Sequence, residues 1–243
     1  MMRKFSAIFI ISLILFSISS CRDGIEDGFS YPKHKVWAHR VNSPEQANLK
    51  MKSFDGVEID LAYDKVSGEL YVSHDVEKGK MNLTFRQFLQ QIDNPGKTHY
   101  WLDLKNLWDN TEGICDTISN LARLYGFENR FFVESWSAKS LKIAKEKGLT
   151  TSLWVGNVCD GRAIDTLAWK EKLSKDIEKC NPDALSAEFR MWRLLVEHFP
   201  DKNIHLWHTP ATFNDDNVKL TRDMCRDKHV KVVLVDYDEP ISY

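Results

Sequence analysis

The sequence predicts an α/β protein built as a (β/α)8 TIM barrel, with a small hairpin inserted after the second strand and no clear final helix. Three observations predict it. Short runs rich in apolar and β-branched residues alternate with longer stretches of helical pattern, which implies a parallel sheet with helical crossovers. Eight such runs are present, the number that closes a barrel, although a doubly wound open sheet gives a similar alternation. The length, 243 residues, suits a barrel formed as one domain.

The predicted strands are 35–39, 57–63, 100–105, 131–134, 151–155, 184–187, 204–207 and 231–235. The helices between them include 44–53, 111–126, 137–147, 165–180, 189–198 and 215–228. A short strand at 70–73 pairs back on 57–63 through Ser67-Gly68, a turn-forming dipeptide. Ser43-Pro44-Glu45 reads as a helix cap followed by a first-turn proline and acid. Gly126 and Gly148 stand where helices should stop. Only Asp236 to Tyr243 follow the last strand. Either the barrel is bare there, or the segment before the first strand packs over the gap.

The first residues do not belong to the barrel. Arg3 and Lys4 precede an apolar run from Phe5 to Ile18, broken only by Ser6, Ser12 and Ser17. Its 14 residues are short for a membrane span and right for a secretory signal core. The run ends in Ile18-Ser19-Ser20-Cys21, which looks like a bacterial lipobox. The expectation is a signal peptide over 1–20, a lipid anchor on Cys21 with a polar tether over 21–34, and a barrel over 35–243. The protein would then be exported and held to the membrane of a bacterial cell envelope.

Composition bounds the function. The chain is 43% apolar and 28% charged, with a net charge of -2, which is globular and not disordered. Without residues 1–20 it carries 31 Lys+Arg against 35 Asp+Glu. No basic footprint for nucleic acid is present. The acyl anchor, rather than charge, would hold this acidic body at a membrane. Cys115, Cys159, Cys180 and Cys225 remain, and their spacing fits no zinc site. Disulfides and free buried thiols are both open.

Chemistry-bearing residues gather at the C-terminal ends of the predicted strands, which in a barrel share one mouth. His39 and Arg40 follow the first strand, Glu58 and Asp60 lie on the second, and His74-Asp75 ends the hairpin. Asp103 and Lys105 lie on the third. Residues two apart on a strand point the same way, so Glu58, Asp60 and Asp103 converge. Three hard oxygen donors suit Mg2+ or Ca2+. His39 and His74 flank them as an acid and a base, and Arg40 and Lys105 suit a phosphate. Glu134, Glu188, Arg190 and His208 also stand near strand ends, and Trp136, Trp154 and Trp207 near the mouth. Glu45 can either orient His39 or favour the start of its helix.

The ordered set Trp37-Ala38-His39-Arg40, Pro44-Glu45, Glu58-Ile59-Asp60, His74-Asp75 and Asp103-Leu104-Lys105 resembles the motif series of the glycerophosphodiester phosphodiesterase family, within the phospholipase-C-like phosphodiesterase barrels. Phe132 to Trp136, Leu206-Trp207 and Val235-Asp236-Tyr237 extend the likeness over about 35–238. The resemblance implies that Glu58 and Asp60 bind a divalent metal, with Asp103 in place of a usual glutamate. It implies His39 and His74 as the acid/base pair and Arg40 as a phosphate contact. It also implies attack by a neighbouring substrate hydroxyl, giving a cyclic phosphate that water then opens. Val41 stands where the family has glycine, and Gln46 where it has asparagine, which marks a divergent member.

The expected activity is metal-dependent hydrolysis of a glycerophosphodiester-like or lysophospholipid-like substrate. Lys105, Glu134, Glu188, Trp207 and His208 join Arg40 as expected substrate contacts. Two alternatives stand beside it: a surface lipoprotein that binds a ligand without turnover, and a metal-independent cyclising phosphodiesterase. The two histidines argue against the first, and the three acids against the second.

Overall fold

Side chains alternate across each strand, and this parity builds two cores in one barrel. The computed structural model describes residues 28–76, 82–156, 166–210 and 214–243. The predicted signal segment, Cys21 and Cys159 lie outside them. Eight parallel strands close on themselves: β1 (Val36–Ala38), β2 (Gly56–Asp64), β4 (His99–Leu104), β5 (Phe131–Ser135), β6 (Thr151–Trp154), β7 (Ala184–Glu188), β8 (Asn203–Trp207) and β9 (Val230–Val235). β1 pairs with both β9 and β2, which seals the ring. β3 (Glu69–Val72) pairs antiparallel with the end of β2 as the expected hairpin.

Seven α-helices are described: α1 (Pro44–Lys50), α2 (Phe85–Gln91), α3 (Thr111–Tyr125), α4 (Ala138–Glu146), α5 (Thr166–Cys180), α6 (Trp192–His198) and α7 (Asp215–Arg226). α1 starts as expected, with Ser43 accepting from the Gln46 amide and Pro44 in the first turn. α2 was absent from the sequence-based expectation. Its local signal is Thr84 with Gln87, a reciprocal capping box ahead of the buried Phe85, Phe88 and Leu89. The predicted helix 189–198 divides into a 3-10 turn over Phe189–Met191 and α6.

Outward-facing strand residues such as Val57, Ile59, Leu102 and Val133 meet the helices in one large cluster. Inward-facing Trp37, Trp101, Phe132, Val232 and Leu234 form a second cluster inside the barrel. The Trp37 indole lies so close to Gly56 that a Cβ there would meet it at 2.2 Å. Gly56→Ala is therefore expected to destabilise the fold by about 1–3 kcal/mol through overpacking, read from denaturant unfolding. An unchanged midpoint would show that Trp37 can step aside.

No helix follows β9 among the described residues, and neither expected solution for the gap applies. The C-terminal tail covers the flank itself. Tyr237 and Ile241 are buried in the outer core, the Lys50 ammonium donates to the Tyr237 carbonyl at 2.6 Å, and Arg222 donates to Ser242. The segment before β1 instead plugs the barrel from the N-terminal ends of the strands. Phe29 and Tyr31 pack on the inner cluster, and Tyr31 Oη lies 2.9 Å from His205 Nε2. Ser152 holds the other ring nitrogen at 2.9 Å. Burial pushes His205 down to about 3, so its ring is a neutral hydrogen-bonding strut. Cys115, Cys180 and Cys225 are buried free thiols.

Candidate active site

At the C-terminal ends of the strands opens a cavity of about 650 Å³, lined by His39, Arg40, Glu58, Asp60, His74, Asp103, Lys105, Glu134, Trp136, Trp154, Trp207 and Asp236 among others. Neighbouring strands deliver its acids in register. Asp60 pairs with Asp103 across β2 and β4, and Asp103 with Glu134 across β4 and β5. Glu58, Asp60 and Asp103 each offer one carboxylate oxygen, and these lie within 4.8 Å of one another.

Hydrogen bonds fix the cluster. The Arg40 amide donates to Glu58 Oε2 at 2.6 Å, which Arg40 reaches with a left-handed backbone, φ 51°. Val41 is buried and carries no positive φ; the family's glycine position therefore demands no special backbone here. Asn42 clamps Asp60 from both sides: its Nδ2 donates to Oδ2 at 2.6 Å, and its Oδ1 accepts from the Asp60 amide at 3.0 Å. Lys105 reaches Asp60 Oδ1 at 2.5 Å and contacts Asp103 Oδ2 as well.

The electrostatics follow from burial and crowding. Burial, and then the neighbouring Asp60 and Asp103, push Glu58 well above the usual carboxylate range. Burial also raises Asp103, against the pull of Lys105. Burial would raise Asp60 too, but Lys105 and Asn42 hold it below its ordinary value. Burial lowers Lys105, but the two aspartates outweigh it and the ammonium is raised. The donor set fits a hard divalent cation: it is all carboxylate, two of the three acids are buried, and one lysine charge opposes three acids.

The histidines take distinct settings. His39 Nδ1 lies 2.8 Å from Asp236 Oδ1. A carboxylate only accepts, so Nδ1 carries the proton. His39 Nε2 then faces the acids, 4.0 Å from Glu58 Oε2. The hydrogen bond from His39 holds Asp236 below its ordinary value. His74 Nε2 accepts from Arg40 Nη2 at 3.3 Å, and its Nδ1 lies 3.5 Å from Asp75 Oδ1.

Not every expected residue reaches the cavity. Glu134 does, as a buried part of its wall: Trp101 Nε1 donates to it at 2.5 Å, Ser186 donates to its other oxygen, and burial pushes it up to about 8. Trp207 lines the cavity with Trp136 and Trp154. Glu188 does not line it; Arg190 Nε in the next turn engages its carboxylate at 2.7 Å. His208 does not either. It follows Trp207, so it points to the opposite face, buried against Phe189 and bonded to Thr221 at 2.9 Å. Glu45 is exposed in the first turn of α1 and away from the cavity lining.

Asp236 and Asn42 were not expected as site residues. Asn42 carried a local signal, standing two residues beyond Arg40 in the loop that must meet the strand-two acids. Asp236 had its position at the end of the last strand, although its partner is 197 residues away.

No family model matches the chain, and no curated protein does. Its fold is that of solved phosphodiesterase barrels. The provisional glycerophosphoryl diester phosphodiesterase of Agrobacterium tumefaciens str. C58 superposes with TM-score 0.62 at 13% identity, over 85% of this chain and 94% of that one. A glycerophosphodiester phosphodiesterase from Parabacteroides distasonis ATCC 8503 gives 0.57 at 15% identity, over 85% and 94%. A calcium-dependent phosphoinositol-specific phospholipase C from a Gram-negative Pseudomonas gives 0.51 at 12% identity, over 86% and 89%. At these identities the likeness establishes a shared fold, and it agrees with the resemblance read from the motifs.

Proposed function

We propose that the barrel is a phosphodiesterase acting on glycerophosphodiester-like or lysophospholipid-like substrates with a divalent cation, Mg2+ or Ca2+, exported and tied to a membrane through Cys21. Folds host many functions, so the site must carry this reading. The observation that carries it is the meeting, at one mouth, of three converging carboxylates, the His39–Asp236 pair and the Arg40–His74 pair.

The chemistry follows from the geometry. Arg40 and Lys105 attract the phosphate oxygens. A guanidinium engaged by phosphate releases His74 Nε2, which can then take up a proton from water and pass it to the leaving oxygen. His39, its Nδ1–H held by Asp236, offers Nε2 as the base for the attacking hydroxyl. Glu58, Asp60 and Asp103 would hold the cation, which supplies charge stabilisation to the nonbridging oxygens. Trp136, Trp154 and Trp207 would flank the alcohol portion of the substrate.

One observation favours a second reading. Lys105 already sits against Asp60 and Asp103, and an ammonium there can serve a metal-independent, cyclising phosphodiesterase. The test is turnover of bis(p-nitrophenyl) phosphate and glycerophosphocholine by residues 22–243, with EDTA, Mg2+ or Ca2+. Turnover restored by a cation after EDTA is the expected result. Turnover indifferent to EDTA selects the second reading. Neither turnover nor calorimetric cation binding sinks both and leaves a ligand-binding lipoprotein.

A further inference from the structure

The plug beneath the barrel fixes where a lipid anchor can be attached. Phe29 meets Phe132 at 5.5 Å and His99 at 6.0 Å between ring centroids, and His99 opens β4. Tyr31 is bonded to His205. The Ser30 amide reaches the Asn129 carbonyl at 3.5 Å, just before β5. The His34 amide donates to Asp55 at 3.3 Å, just before β2. His99, Asn129 and Asp55 lie where the strands begin, and Phe132 and His205 line the barrel interior just above them. Gly28 emerges beside Ala122, Arg123 and Lys147, on that same side. The candidate active site opens at the other end.

Chain length then limits orientation. Eight residue steps separate Cys21 from Phe29, at most about 28 Å when fully extended. The barrel is about as tall as the 15-residue α3, roughly 22 Å. The β2–β3 hairpin rises further, since β2 continues past its last pairing with β4, Leu61 with Leu104. For the mouth to face the membrane, the tether would have to run up the side of the barrel almost fully stretched. That costs the conformational freedom of every residue in it.

We infer that a lipid on Cys21 holds the barrel with its plugged end toward the membrane and its mouth toward water, so that substrate enters from the aqueous side. This rests on the phosphodiesterase reading and on acylation of Cys21. Trp108, Trp136 and Trp154 are exposed at the mouth; in this orientation they face solvent and incoming substrate instead of lipid.

The test uses the full chain expressed in a bacterium, purified with its acyl chains and placed in phosphatidylcholine vesicles. Mass spectrometry first establishes the acyl chains; an unmodified Cys21 overturns the inference. Val66→Cys marks the hairpin turn beyond the mouth and Ser53→Cys the opposite end, both being exposed positions. Each is labelled with a fluorophore, with the unsubstituted chain as blank, and quenched by spin-labelled headgroups. Strong quenching at 53 and little at 66 is expected; equal or stronger quenching at 66 overturns the orientation. In the same vesicles the acylated chain should hydrolyse added glycerophosphocholine as fast as residues 22–243 do. It should gain no rate on lysophosphatidylcholine embedded beside it, and a large gain there overturns the orientation. Silence toward both substrates, with position 53 alone quenched, defeats the enzymatic reading while upholding the orientation.

Discussion

His39→Ala should lower kcat/KM by about a hundred- to ten-thousand-fold, the range that a positioned general base or acid contributes. The side chain is mostly buried at the cavity edge, and its contacts are Asp236 and the distant Glu58 oxygen. Its removal should therefore leave the unfolding midpoint little changed, which separates a chemical role from a structural one. Asp236→Asn is the companion experiment. As a carboxylate, Asp236 can only accept, so it holds the proton on Nδ1 and leaves Nε2 facing the acids. The asparagine removes the acceptor that fixes this tautomer, so kcat/KM should fall by about a hundredfold or more. An asparagine that turns its amide toward the ring would also invert the tautomer and deny Nε2 its basic role. kcat/KM and the unfolding midpoint, measured for the wild type and both variants, decide the matter. Undiminished kcat/KM in Asp236→Asn would mean that the ring is held without this carboxylate. Retained activity in His39→Ala would remove His39 from the mechanism.

The fold was legible because strand parity and helix punctuation are local. Val57, Ile59 and Leu61 alternate with Glu58 and Asp60, so one short run declares both a core face and a polar face. The same parity places Trp207 inward and His208 outward. Nearness to a strand end alone, without parity, assigned His208 to the pocket. Glu188 has inward parity with Ser186, yet Arg190 in the following turn engages it, and a side-chain pairing of that kind has no periodic signature. Asp236, the Tyr31–His205 strut and the tail over the barrel flank depend on contacts between distant parts of the chain. Closure of the barrel creates those contacts, and no local pattern announces them. α2 was overlooked because its 7 residues span scarcely two turns. Apolar periodicity over so short a stretch is weak, and only the capping box marks it.

Glu58→Gln should remove most of the cation affinity and lower kcat/KM by at least about a hundredfold, because a bound divalent cation supplies several kcal/mol of transition-state stabilisation. The acids explain why. With all three ionised and Lys105 protonated, the cluster carries a net charge of -2, in a site where Glu58 is 2% and Asp60 1% exposed. Burial makes that charge costly and, with the neighbouring Asp60 and Asp103, pushes Glu58 well above the usual carboxylate range. A divalent cation would offset that charge and favour ionised Glu58, so binding should release protons, and more of them as the pH is lowered. Calorimetry in two buffers of different ionisation enthalpy reads that release directly. In Glu58→Gln the release should vanish along with the affinity, while Asp60 keeps its clamp on Asn42 and its partner Lys105. Lys105→Met should act in the opposite sense, removing the competing ammonium and tightening the cation at the expense of stability. Cation affinity that survives in Glu58→Gln, with activity lost, would shift the assignment: Asp60 and Asp103 would hold the ion, and Glu58 would serve the histidine that stands beside it.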